Sequence, residues 1–209
     1  MLTKKQEQIL SRVQKPARYT GGEVNAVVKD KNDVKLRYAF CFPDSYEIGM
    51  SHLGMKILYS LVNARTDAWC ERVFAPWTDM EEELRKADMP LFALESGDAL
   101  GAFDVIGFTL QYELSYSNVL NMLDLGKVPL RSRDRTSLTP IVVGGGPCAC
   151  NPEPLADFFD IFLPGENVSE ESKARQFLSE NWRDSLQITL LRMTSNQKVP
   201  RQRTDTKLL

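Results

Sequence analysis

The chain has 209 residues, 43% hydrophobic and 26% charged, with a net charge of −2. That balance suits a globular protein of one good-sized domain with extra segments, or two small ones. It excludes a whole-domain electrostatic footprint for nucleic acid, and no apolar run of about 18 residues offers a transmembrane helix.

The opening MLTKKQEQIL is polar and helical rather than secretory, so the expected location is cytoplasmic. Residues 1–15 read as a short amphipathic helix. Pro16, Gly21 and Gly22 then break the pattern, which makes residues 1–25 a helix and an arm. Val27-Val28 and Leu36 to Phe42 read as strands around a charged turn. The second is apolar almost throughout, as a central parallel strand covered by helices would be.

Pro43-Asp44-Ser45 stops that strand. A helix from Ser51 to Arg65 follows, with Ser51 as N-cap and Leu53, Ile57, Leu58, Leu61 and Val62 on one face. Cys70 to Pro76 is a short second strand in this frame. Asp79 caps a charged helix that Pro90 ends, and Leu91 to Leu94 reads as a third strand. Phe103 to Leu110 is the clearest strand, followed by a helix with Val119, Leu120 and Leu123 inward and Gly126 as its stop. Pro140 to Val143 is a strand running into Gly144-Gly145-Gly146. A short helix at NPEPLADFF and an edge strand near residues 160–163 follow. Beyond Glu166, Phe177, Leu178, Trp182, Leu186 and Leu190 form a helical stripe, and residues 194–209 are polar, basic and expected to be disordered.

Strand–helix alternation predicts a doubly wound α/β fold with a mostly parallel sheet. Such sheets bind ligands at the carboxyl ends of the strands, which singles out loops 43–51, 109–115 and 144–151. Glycines at a strand exit let a ligand approach the backbone, and bare N–H groups there would suit phosphate. A tight turn explains them equally well. Thr109, Gln111 and Tyr112 offer polar groups to a ligand; equally, this loop serves to cap the next helix through Ser115 or Ser117.

The four cysteines, Cys41, Cys70, Cys148 and Cys150, have neither paired CxxC spacing nor a CxxxCxxC triplet, so they read as reduced thiols without a metal. His52 is the single histidine, expected to cap or pack the start of its helix. The carboxylate pairs Asp44/Glu47 and Asp157/Asp160 resemble turn and cap residues.

The stretches VFAPWTDME, GFTLQYELSYSNVLNMLDL and GGGPCACNPEPLADFFD together carry a resemblance. Over residues 11–166 the chain resembles the amino-terminal region of a family of radical S-adenosylmethionine (radical SAM) proteins with a B12-binding-like domain. The resemblance implies a Rossmann-like or flavodoxin-like domain over residues 26–167, holding cobalamin at its carboxyl edge, and a divergent tail over 168–209. Carried across, Gly144, Gly145 and Gly146 match the glycine-rich loop beside the corrinoid tail. Thr109 and Gln111 match the polar turn, and Glu166 matches the acidic end of the domain.

The match has departures. Tyr46 stands where cobalt-binding relatives have the His of Asp-x-His-x-x-Gly, and Gly165-Glu166-Asn167 departs from the family's acidic segment. The barrel that would carry CxxxCxxC, the [4Fe–4S] cluster and S-adenosylmethionine is not in this sequence. The expectation is therefore an accessory domain, truncated or encoded without its barrel, with no catalysis alone. The alternatives are an interaction module that docks a barrel or another protein, and a binder of S-adenosylmethionine or a nucleotide through the glycine loop. Neither a membrane nor nucleic acid is an expected partner.

Overall fold

A computed structural model describes residues 2–137 and 140–164. Five strands form one sheet: β1 (Leu36–Phe42), β2 (Ala68–Phe74), β3 (Val105–Thr109), β4 (Ile141–Gly145) and β5 (Ile161–Leu163). Their order is β2-β1-β3-β4-β5 and every pairing is parallel. This is the flavodoxin-like winding, with the order reversing between β1 and β3.

Helices lie on both faces because alternate residues of each strand point opposite ways. Ala39 and Cys41 of β1 join Ile106, Phe108 and Val142 in the main core. That core is closed by α1 (Lys4–Leu10), α4 (Thr78–Lys86) and α5 (Tyr116–Leu125), through Ile9, Met80, Leu84, Val119 and Leu123. Phe42 and Phe74 point the other way, toward α2 (Tyr46–Ser51) and α3 (Leu53–Asn63). β1 is thus buried on both sides, as its continuous apolar run implies.

Several elements differ from expectation. The first helix begins after a capping box, in which Gln6 N–H bonds Thr3 Oγ1 and Thr3 N–H bonds Gln6 Oε1, and it ends at Leu10 rather than near residue 15. Val27-Val28 is not a strand. The Val27 N–H bonds the Tyr59 hydroxyl and its carbonyl accepts from Trp69 Nε1, so side chains satisfy the backbone there. Lys29 beside it donates to the carbonyls of Asn63, Arg65 and Ala68, where α3 has ended.

The cap of α3 is His52, not Ser51: its Nδ1 accepts the Met55 N–H at 3.2 Å. This shifts the buried face to Met55, Tyr59 and Val62, and leaves Leu53 68% and Ile57 39% exposed. Asp79 lies in the first turn of α4, one position past its Thr78 start, where it accepts the Gln14 and Met80 N–H groups.

Leu91 to Leu94 is buried but does not form a sheet strand. The chain reverses at Gly97 (φ +75°), leaving one isolated bridge, Phe92 to Ala99. Leu91 N–H instead bonds the Leu125 carbonyl at the end of α5. The segment still covers the outer edge of β2: Leu94 N–H bonds Arg72 O at 3.0 Å, and the Glu95 carboxylate accepts Arg72 N–H at 2.7 Å. A carboxylate thus takes the place of a neighbouring strand's carbonyl. On the far side of the sheet, residues 161–163 are a true strand, placed by Asp160, which accepts Val142 N–H and binds Arg135. The helical stripe after residue 170 and the 167/168 boundary lie outside the described residues.

Two arginines, Arg37 of β1 and the buried Arg72 of β2, tie the β2 side together. Arg37 bonds Glu71 at 2.5 Å and Asp98 at 2.7 Å. Arg72 bonds Glu95 at 2.6 Å and Glu23 of the arm at 2.8 Å, with its guanidinium 4.7 Å from the Tyr59 ring. Burial pushes the Glu95 carboxyl up, and the Arg72 charge opposes that rise. An acid whose folded pKa is raised adds least stability once the pH is above its unfolded value. Arg72→Met removes the opposing charge. It should destabilise by about 3–5 kcal/mol near neutral pH. The loss should shrink as the pH is lowered, because the desolvated Glu95 carboxyl regains its proton. Urea melts at neutral and mildly acidic pH check this, and equal losses would refute it.

Candidate functional site at the carboxyl edge of the sheet

The loops leaving β1 and β3 meet at the reversal of strand order, and the loop leaving β4 bonds the β3 loop through Leu110. Asp44 follows β1, and Tyr112 follows β3 and donates its hydroxyl to the Asp44 carboxylate. Beside it, Asn118 Nδ2 donates to the Pro43 carbonyl at 3.0 Å. The gap between β1 and β3 is therefore bridged by side chains. The Asp44 acceptor pushes the Tyr112 phenol up, with burial adding to the shift.

Thr109 is the last residue of β3 and is buried, and its hydroxyl accepts from the Gln111 amide. These two predicted residues come together but spend part of their polar capacity on each other. The glycines separate into three roles. A Cβ on Gly144 would press at 3.0 Å on Phe159 and 3.1 Å on Leu110, so this glycine serves packing. Gly146 has φ +98°, and a Cβ there would sit 2.9 Å from the Leu110 carbonyl oxygen. It is a turn glycine. A Cβ on Gly145 meets nothing within 4 Å. Of the three, only Gly145 borders open space. Glu166 lies outside the described residues.

The donors expected from this loop are committed elsewhere. Pro147 has no N–H. Cys148 N–H bonds Leu110 O and Ala149 N–H bonds Gly146 O, each at 3.0 Å. The 3₁₀ turn Pro147–Cys150 therefore closes on itself instead of presenting a phosphate cradle. Pro147 was the readable signal, because proline directly after a glycine loop removes the first donor.

Sequence reasoning missed the surroundings of the Cys148 thiol. Glu113, in the 3₁₀ turn Glu113–Ser115, lies against the Cys148 thiol. Burial pushes that thiol up, with the Glu113 charge and hydrogen bond adding to it while Tyr116 opposes, so it is protonated rather than a ready nucleophile. Cys41 and Cys70 are fully buried and shifted well upward, which makes them core residues. Among the described residues no three His, Cys, Asp or Glu side chains come together to hold a metal ion. The residues described here do not fit an iron–sulfur cluster.

Tyr46 is engaged away from the groove. Its ring packs edge-on against Phe74 at 5.5 Å, and its hydroxyl donates to Glu23. His52 is occupied by its cap and by Phe42, 5.3 Å ring to ring. Asp157 and Asp160 are fixed by Arg131 and Arg135, which gives them structural roles. No described helix is long and apolar enough to cross a membrane.

Doubly wound parallel sheets of this order are a class of α/β fold that binds ligands at the carboxyl edge. The sequence model for the family described as radical SAM proteins, N-terminal, matches residues 54–198, more than half of the chain. The protein belongs to that family. It is also similar to an uncharacterized protein of Methanocaldococcus jannaschii, 29% identical over 130 residues. The match covers 61% of this chain and 23% of that relative, so the chain spans about a quarter of the relative's length.

The glycine assignments predict opposite outcomes for two small substitutions. Gly146→Ala forces a left-handed φ and a clash with Leu110, and should cost about 1–3 kcal/mol. Gly145→Ala should change stability by no more than about 0.5 kcal/mol. Thermal melts of both variants check the pair, and equal losses would refute the division of roles.

Proposed function

We propose that this domain is the accessory, ligand-carrying part of a radical SAM protein and that its carboxyl-edge groove accepts a corrinoid. The observation that carries this reading is Gly145, where the exit of β4 at the carboxyl edge of the sheet borders open space among the described residues. Gln111 and Thr109 would supply polar contacts, and Tyr112 would give an aromatic wall. With Tyr46 and His52 engaged elsewhere, a corrinoid here would receive no histidine ligand from either position. When bound, the corrinoid would supply cobalt chemistry to a barrel carrying the iron–sulfur cluster and S-adenosylmethionine. The domain's own residues bind and orient.

Incubation with hydroxocobalamin followed by desalting should leave corrin absorbance on the protein. Gly145→Leu should abolish that retention without loss of fold. No retained absorbance on the unaltered chain would refute the reading.

A second reading, an interaction module that docks a barrel or another protein, has its own support. Exposed apolar residues follow three strands at this same edge: Ile48 after β1, Trp77 after β2 and Leu114, 89% exposed, after β3. The relative's much greater length leaves room for such a partner within one chain. Leu114→Asp together with Trp77→Ser should weaken co-purification with the remainder of a full-length relative supplied as a separate polypeptide. Unchanged co-purification would count against docking at this edge.

A further inference from the structure

The arm that runs from α1 to β1 is tied down by side chains. Of residues 14–34 only Tyr19 is buried, and Val24 and Val28 are exposed. Its own backbone bonds close short turns: Tyr19 N–H to Pro16 O, Ala26 N–H to Glu23 O and Asp33 N–H to Asp30 O. Its bonds to the rest of the described chain each use a side chain. At the carboxyl edge, Arg18 pairs with Glu47 of α2 at 2.8 Å, and Trp77 N–H bonds the Tyr19 hydroxyl at 3.0 Å. Glu23 accepts from the Tyr46 hydroxyl at 3.0 Å and from Arg72 Nη2 at 2.8 Å. At the start of β2, Val27 is held by Tyr59 and Trp69, and Lys29 donates to three carbonyls.

Ordering about twenty residues costs backbone entropy, and little apolar burial offsets it here. Such a segment has a lower opening free energy than the sheet it lies on. The helix it holds is no more independent. α2 has six residues, too few to be stable alone, and Tyr46 and Glu47 at its start both bond the arm.

We propose that residues 16–33 form a strap that opens as a unit while the sheet stays folded, with Glu23 as its latch, and that opening frees α2 and Trp77 at the carboxyl edge. One Glu23 carboxylate joins the strap both to β2, through Arg72, and to α2, through Tyr46. A ligand or partner that fixes α2 holds the strap shut by the same linkage. The device does not depend on which of the two the carboxyl edge takes.

Amide hydrogen exchange, followed by NMR on the intact chain over a low-urea series, tests this. Three N–H groups report: Val27 in the strap, Gly49 in α2, which bonds Ser45 O, and Trp77, which bonds Tyr19. They should exchange faster than the amides of β3, with one shared opening free energy and a shallow urea dependence. Glu23→Gln removes the charge from both latch bonds and should speed all three together, roughly five- to tenfold. Lys29→Met, which cuts the far end of the strap, should speed the same three groups. Exchange of the three only at the β3 rate would overturn the strap. Acceleration of Val27 without Gly49 and Trp77 would overturn its hold on the carboxyl edge.

Discussion

The β2 side of the molecule depends on the Arg72 guanidinium. It sits at an edge strand with almost no access to water, so every donor it carries needs a partner. Glu95 and Glu23 supply charge, and the Tyr59 ring covers it. Each partner comes from a different part of the chain: the segment that seals the sheet edge, the arm before β1, and α3. Glu23 in turn accepts from Tyr46 at the start of α2. A single buried charge thus fixes the arm, the edge cover and the loop leaving β1. A well-packed apolar group could give comparable stability, but it would not place these three segments in one arrangement.

Much of the sheet was legible because burial on two faces leaves a simple mark. β1, β3 and β4 are short apolar runs ended by proline, polar residues or glycine, and each lies within a residue or two of its predicted position. Leu91 to Leu94 carries the same mark and is not a strand, because apolar content reports burial rather than backbone pairing. Its partners, the end of α5 and the Arg72 carbonyl, are distant in sequence. The face of α3 was misread for a related reason. The helix is apolar on both sides, so periodicity alone did not choose between Leu53/Ile57 and Met55/Tyr59, and the His52 cap fixed the start one residue later.

At the candidate site, residue types were legible and their assignments were not. Three consecutive glycines signal backbone exposure, but packing against Phe159, a left-handed turn and open space are separate causes that share one letter code. Thr109 and Gln111 lie at the predicted edge, yet their bond to each other follows from side-chain geometry that spacing does not encode. Asp44 looks like an ordinary loop carboxylate in the sequence. Its bond to Tyr112, from the loop after β3, follows from the reversal of strand order, a property of topology.

The self-closed turn after Gly146 has a consequence for how the groove would take a ligand. Its backbone groups are already satisfied by Leu110 and by the turn itself, so the wall has no need of a guest to become ordered. Binding against such a wall would forfeit little chain entropy, and affinity would report shape and charge rather than induced folding. A ligand site at this edge would be preorganised on its β4 side. Any adjustment to a bulky guest falls to the side-chain bridge between Tyr112 and Asp44, whose rearrangement needs only rotations about single bonds.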